Sequence, residues 1–216
     1  MKLRPEDMRL YAVTARVRAR NAQELLEQVA LAAEGGATII QLREKNIGDG
    51  ELLREARAFA AICREKRVIS IINDRPDIAV AAGADGVHVG QDDLEAVCAR
   101  EILGPDRILG VSAHNVEEAL RAEAAGADYL GVGAAFQTGT KSDAKPISHA
   151  IYREITRAVR IPVVAIGGIN RDNILELSGL GLSGAAVVSA LFGAQDICAA
   201  AREMRALAER IAGESD

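Results

Sequence analysis

The chain has 216 residues, 49% of them hydrophobic, and a formal net charge of −5, which suits one sizeable core in a single soluble domain. Only 3% of residues are aromatic and tryptophan is absent, so neither a basic face nor stacking rings point to nucleic acid. No apolar run is long enough to span a bilayer and the first residues, Met1 to Asp7, are charged without an apolar leader core; the expected location is the cytoplasm, with no membrane partner.

Short apolar strands then alternate with amphipathic helical runs along the whole chain. Strands are expected at Leu10–Thr14, Thr38–Leu42, Val68–Ile72, Gly86–Val89, Ile108–Ser112, Tyr129–Val132, Pro162–Ile166 and Gly184–Val188. The helices between and after them are expected at Gln23–Glu34, Asp49–Glu65, Pro76–Ala82, Leu94–Glu101, Val116–Ala125, Ser148–Val159, Arg171–Leu177 and Ala194–Ala212. A weak repeat supports the count. Glu34-Gly-Gly-Ala-Thr, Ala82-Gly-Ala-Asp-Gly and Ala125-Gly-Ala-Asp-Tyr each close a helix with glycine and open an even-numbered strand, as helix C-caps do. Eight βα units in this length fit a compact (β/α)8 barrel, one domain over residues 1–216. An open doubly wound sheet would want a glycine-rich turn after the first strand, where Thr14-Ala-Arg-Val stands instead. Cys63, Cys98 and Cys198 lie far apart in helical patterns and are expected to be buried free thiols.

In such a barrel the strand ends and the loops after them build the site. Strand two ends Gln41-Leu-Arg-Glu-Lys45, and alternation sends Gln41, Arg43 and Lys45 to one side and Leu42 and Glu44 to the other. An amide and two cations converging on the mouth would make an anion clamp. Strand three ends Ile71-Ile-Asn-Asp74, and strand four runs Gly86-Val-His-Val-Gly-Gln-Asp-Asp93. Parallel pairing brings both ends out on one face, so Asp74 and Asp93 are expected side by side, in the pattern of a Mg²⁺ site completed by water and substrate phosphates. Either could instead cap the following helix, as could Ser112 at the end of strand five. A long loop, Gly131–Asp143, follows strand six and carries glycines, hydroxyls and Lys141. Ile166-Gly-Gly-Ile-Asn170 and Val187-Val-Ser-Ala190 end strands seven and eight, where glycine lets backbone N–H groups approach a phosphate. Two anion sites imply two phosphorylated small-molecule substrates. His88, His114 and His149 show no ligand spacing and no serine or cysteine sits in a nucleophile motif, so no hydrolase triad is expected.

Taken in order, Leu10-Tyr-Ala-Val-Thr14, Gln41-Leu-Arg-Glu-Lys45, Ile72-Asn-Asp74, Gly86-Val-His-Val-Gly-Gln-Asp-Asp93, Gly110-Val-Ser-Ala-His114, Thr138-Gly-Thr-Lys141, Ile166-Gly-Gly-Ile169 and Val188-Ser189 resemble the thiamine phosphate synthase family over essentially the whole chain. That family is a (β/α)8 barrel joining 4-amino-2-methyl-5-(hydroxymethyl)pyrimidine diphosphate to 4-methyl-5-(2-phosphoethyl)thiazole, with release of pyrophosphate. The resemblance implies that Gln41, Arg43, Lys45, Asn73, Ser112 and Lys141 hold the pyrimidine diphosphate, with Arg43, Lys45, Ser112 and Lys141 as the catalytic groups. It implies one Mg²⁺ per subunit on Asp74 and Asp93, and Thr138, Gly139, Thr140, Gly168, Val188 and Ser189 around the thiazole phosphate. Formal charges of Mg²⁺, Arg43, Lys45 and Lys141 against Asp74 and Asp93 leave about +3, near the roughly −3 of free pyrophosphate. The chain departs from the family at Ala134 and Gln137, where prolines are common. A homo-oligomer is compatible with the sequence. The rival readings are a thiazole tautomerase, which carries a histidine where this chain has Ala134, and a non-catalytic phosphate-binding barrel, which would have little use for Asp74, Asp93 and Lys141 together.

Overall fold

The computed structural model describes residues 3–137 and 146–213. Its strands are Leu10–Val13 (β1), Ile39–Leu42 (β2), Ile69–Asn73 (β3), Gly86–Val89 (β4), Ile108–Ala113 (β5), Tyr129–Gly133 (β6), Val163–Ile166 (β7) and Gly184–Val187 (β8). The α-helices are Ala22–Glu34 (α1), Asp49–Lys66 (α2), Pro76–Ala82 (α3), Ala96–Leu103 (α4), Val116–Ala124 (α5), His149–Ala158 (α6), Ser189–Phe192 (α7) and Ile197–Gly213 (α8). Every strand is parallel to its neighbour and β8 pairs with β1, closing a barrel in sequence order. This is the expected (β/α)8 architecture. No helix among the described residues is long and apolar enough to cross a membrane.

Closure divides the apolar side chains into two cores. Ile40, Leu42, Val87, Val89, Leu130 and Val132 point outward and pack with the helices, whereas Tyr11, Val13, Ile39, Ile71, Ile108, Tyr129 and Val164 fill the barrel. Met8, on the short 3-10 turn Pro5–Met8, belongs to the interior core. The period-two alternation of each strand thus assigns its residues to one core or the other.

The internal repeat has a physical basis in this arrangement. Gly36, Gly83 and Gly126 adopt φ of 105°, 70° and 86°, and the N–H groups of Ala37, Ala84 and Ala127 reach back to the carbonyls of Ala32, Ala79 and Ala122 at 3.0 Å. These are glycine-terminated helix caps. The polar residue that follows then serves the preceding strand. Thr38 Oγ1 accepts from Leu10 N (3.1 Å), Asp85 from Ser70 N (2.8 Å) and Asp128 from Leu109 N (2.8 Å), so three odd strands have their entry satisfied by the turn before the next one.

Three helices and two thiols differ from expectation. The run expected as a helix over Arg171–Leu177 forms only the 3-10 turn Ile174–Leu177. Asn173 Oδ1 takes the N–H of Asn170 and Asn170 Oδ1 takes that of Asp172, bonds that draw the backbone away from a helix. The last helix, expected over Ala194–Ala212, is α8 and starts later, at Ile197, where Asp196 Oδ1 accepts from Ala199 N at 2.8 Å; the short α7, Ser189–Phe192, precedes it and was not expected. Helix α4 begins at Ala96 rather than Leu94 and ends at Leu103, before Gly104 with φ of 72°. Cys63 is buried, and burial pushes its thiol pKa up, but Cys98 and Cys198 are only partly covered. All three are free.

An ion cluster braces the end of β2 from outside. Arg16 Nε donates to Glu44 at 2.6 Å, and its Nη2 donates to both oxygens of Glu55 at 2.8 and 2.9 Å. The carboxylate side chains are only 6% and 1% exposed. Burial raises the Glu55 pKa against the pull of Arg16. Arg16→Gln strands two covered carboxylates and is expected to cost about 2–3 kcal/mol at neutral pH, measured by urea unfolding. The sign follows from the raised Glu55 pKa: the folded state takes up its proton before the unfolded chain does, so the deficit should shrink as pH falls. A loss that is independent of pH would mean that Glu55 is not the stranded charge.

Candidate active site

The cavity at the carboxyl ends of the strands has a volume of about 520 Å³ and is lined by Tyr11, Gln41, Arg43, Asn73, His88, Ser112, Tyr129, Gly167, Gly168, Val188 and Ser189, among others, a size that suits small-molecule ligands. The β2 contribution is fixed at the backbone. Buried Thr14 donates its N–H to Gln41 O and accepts the N–H of Arg43 on Oγ1, both at 2.9 Å. Glu44 turns out to Arg16, while Gln41 and Arg43 line the cavity. The expected alternation holds for Gln41, Arg43 and Glu44; Lys45, beyond the end of β2, does not line the cavity and stands beside Asp74 instead.

Asp74 and Asp93 meet at the rim. Burial raises the Asp74 pKa first, and the carboxyl of Asp93 beside it raises it further, against Lys45 and Asn73. Lys45 Nζ lies 3.8 Å from Asp74 Oδ2. Asp74 is held at φ of 63°, with its N–H donated to His88 O at 2.8 Å, so the turn that aims its carboxylate is an uncommon one for a non-glycine residue. Asp93 Oδ2 accepts from Gly90 N at 2.8 Å. Neither aspartate caps a helix: the cap positions are Arg75 for α3 and Glu95 for α4. Ser112 is not a cap either, since Asn115 fills that place for α5. Asp92 is exposed. Among the described residues no third histidine, cysteine or acid completes a metal cluster. Two adjoining carboxylates that repel one another fit a hard cation whose other ligands are water and phosphate oxygens, which is the coordination habit of Mg²⁺.

The turns after β7 and β8 build a different surface. Gly167 and Gly168 adopt φ of 102° and 68°, and a Cβ on Gly168 would stand 2.6 Å from Gln137 O. Asn173 Nδ2 donates to Gly168 O at 2.9 Å, which pins that peptide. Among the described residues no acceptor takes the N–H of Gly168, Ile169 or Ser189. These donors can serve an anion. The base of the β6 loop is stitched to this turn, Ala135 N to Ile166 O (2.8 Å) and Phe136 N to Gly167 O (3.0 Å). Thr138, Gly139, Thr140 and Lys141 lie outside the described residues.

The structure thus gathers Gln41, Arg43, Asn73, Ser112, Gly168, Val188 and Ser189 around one cavity, with Lys45, Asp74 and Asp93 together at its edge. Sequence reasoning missed the polar floor. Gln41 Nε2 donates to Tyr11 Oη (2.7 Å), Tyr11 Oη meets Tyr129 Oη (2.7 Å), and His88 joins Tyr129 Oη through Nδ1 (3.0 Å) and Ser112 Oγ through Nε2 (2.9 Å). The available signal was a tyrosine or histidine at an inward position of each of three apolar strands.

Polar groups face the cavity from separate sides, from β2 and β3 on one and from β7 and β8 on the other, the form of a barrel enzyme with a small-molecule site. Comparison with known proteins specifies which. Residues 10–191 match the family model described as thiamine monophosphate synthase, and the chain belongs to that family, the transferases of thiamine biosynthesis. It is 50% identical over 190 residues to the thiamine-phosphate synthase of Moorella thermoacetica, covering 88% of this chain and 90% of the relative. Among solved structures, the thiamine phosphate pyrophosphorylase of Pyrococcus furiosus aligns with a TM-score of 0.87 at 41% identity, covering 96% and 98% of the two chains. A 3-hexulose-6-phosphate synthase aligns at 22% identity with a TM-score of 0.66, a likeness of fold alone.

Asp74→Asn tests the carboxylate pair, because asparagine tolerates the left-handed backbone and removes only the charge. With chelator present the variant should match or exceed the parent in stability, by a few tenths to about 1 kcal/mol, since a like-charge contact is relieved. Added Mg²⁺ should raise the parent Tm and leave the variant's unchanged, while Asp92→Asn keeps the full shift. An Asp74→Asn protein that still responds to Mg²⁺ would remove Asp74 from the metal site.

Proposed function

We propose that this transferase joins 4-amino-2-methyl-5-(hydroxymethyl)pyrimidine diphosphate to 4-methyl-5-(2-phosphoethyl)thiazole, or its carboxylated form, giving thiamine phosphate and pyrophosphate. The observation that carries this reading is the pairing, around one 520 Å³ cavity, of the cationic Arg43 with the turns at Gly167, Gly168 and Val188, Ser189. Two substrates that each carry phosphate would use both. Metabolites of this kind suit a cytoplasmic reaction.

The chemistry asks little of protein nucleophiles or bases. The C–O bond from the pyrimidine methylene to the diphosphate breaks, the electron-rich aminopyrimidine supports the cation left behind, and the thiazole nitrogen lone pair forms the new C–N bond. What the chain's residues must do is stabilise negative charge gathering on the departing pyrophosphate. Arg43, whose N–H is held by Thr14, and Lys45, which stands beside Asp74, would supply cations, and Ser112 on β5 would supply a hydroxyl. Lys141 joins them by family resemblance. Asp74 and Asp93 would hold one Mg²⁺, which supplies charge neutralisation for the leaving group when bound. Gly168, Val188 and Ser189, with Thr138, Gly139 and Thr140, would hold the thiazole phosphate so that its nitrogen faces the methylene.

Incubating the purified protein with both substrates and Mg²⁺ should yield thiamine phosphate and pyrophosphate in equal amounts, and omission of either substrate should abolish both products. Failure to form thiamine phosphate from the complete mixture would overturn the reading. Gly168→Ala places a methyl group against Gln137 O and strains a positive φ. It should raise the thiazole KM by about tenfold or more while changing the diphosphate KM little, a split that reports which substrate the turn holds.

A further inference from the structure

The row of side chains beneath the cavity has a direction. Gln41 Nε2 donates to Tyr11 Oη at 2.7 Å, so the Tyr11 proton is left for Tyr129 Oη, also at 2.7 Å. The Tyr129 proton then falls to His88 Nδ1 at 3.0 Å. Burial raises both phenol pKa values, which keeps these hydroxyls as donors. With Nδ1 accepting, the imidazole proton sits on Nε2 and is donated to Ser112 Oγ at 2.9 Å. Run in reverse, Tyr11 would accept from both Gln41 and Tyr129, and its own buried proton would have no acceptor among the described residues. A buried unsatisfied donor is costly.

The barrel also makes room for this row. A Cβ on Gly110 would collide with the Tyr129 ring, and one on Gly131 would stand 3.0 Å from His88 Cε1. The rings of Tyr11 and Tyr129 lie 5.7 Å apart, and those of Tyr129 and His88 5.5 Å apart. Polar side chains occupy interior layers that apolar residues usually fill, and two glycines admit them.

We propose that His88 is a positioning residue: the row from Gln41 fixes it as the neutral Nε2–H tautomer, and its donation to Ser112 Oγ leaves the serine proton free to be donated into the cavity. The serine hydroxyl is thereby a preset donor to the oxygens of the departing pyrophosphate, with no reorganisation needed as charge develops. This second part rests on the reading that Ser112 meets the diphosphate.

The test has two arms. In protein labelled with ¹⁵N-histidine, the His88 signals, identified by replacing His114 and His149 in turn, should be those of a neutral ring protonated at Nε2 and bare at Nδ1. A ring protonated at Nδ1, or at both nitrogens, at neutral pH overturns the proposal, whatever the substrates prove to be. The second arm measures kcat for Tyr129→Phe, Ser112→Ala and the double variant. Tyr129→Phe should lower kcat by about tenfold, the equivalent of one hydrogen bond, leave the thiazole KM unchanged, and add less than about twofold on the Ser112→Ala background. Effects that multiply would show that the row does not act through Ser112. Tyr11→Phe breaks the series one step further back and serves the same cycle should Tyr129→Phe fold poorly. If the complete mixture gives no thiamine phosphate while the Nε2–H tautomer is found, the substrate reading fails and the fixed histidine stands.

Discussion

Because all eight strands run parallel and the last pairs with the first, every strand delivers its carboxyl end to the same rim. Residues remote in sequence become neighbours there without any local motif to bring them together. Asp74 and Asp93 are separated by a whole helix, yet the carboxyl of Asp93 comes close enough to raise the Asp74 pKa. The site is therefore a property of closure rather than of any one βα unit, and each strand end adds one or two groups to it.

Closure also separates the tasks of the two ends. At the amino ends of the strands, glycine caps and the side chains of Thr38, Asp85 and Asp128 satisfy the backbone donors of the neighbouring strands. At the carboxyl ends one non-glycine residue is held in an uncommon state, Asp74 with φ of 63°, and Gly167 and Gly168 take positive φ as glycine readily does. A state like that of Asp74 persists only where the surroundings over-determine it. Here His88 O fixes the Asp74 N–H and Asn173 fixes Gly168 O, so both the acidic and the backbone parts of the site are set by bonds from neighbouring segments.

The fold was legible because its signals are local. Strand alternation, helix periodicity and Gly-Ala-Asp turns each speak for a short stretch, and closure follows from repeating them. The same alternation placed Gln41 and Arg43 in the cavity and Glu44 outside it. What the sequence left unread are contacts across the barrel, where no local pattern pairs Tyr11 with Tyr129 or His88 with Ser112. His88 was set aside because it lacks metal-ligand spacing, although its partners are hydroxyls on other strands. The expected helix after β7 failed for a related reason. Its periodicity was adequate, but Asn170 and Asn173 spend their side chains on the backbone nearby, and propensity alone does not register that competition.

An acidic chain can keep a cation facing its cavity only if nearby carboxylates are turned elsewhere, and the β2 segment shows how this is done for Arg43. Glu44 lies between Arg43 and Lys45 in sequence, where a flexible loop would let the three charges cancel. Glu44, just past the end of β2, turns to the outer side, where Arg16 pairs with it and with Glu55. Arg43 is left on the inner side with no carboxylate partner among the described residues, its backbone anchored by Thr14. Lys45 does meet a carboxylate, Asp74 at 3.8 Å, so among the described residues Arg43 is the β2 cation that faces the cavity without one.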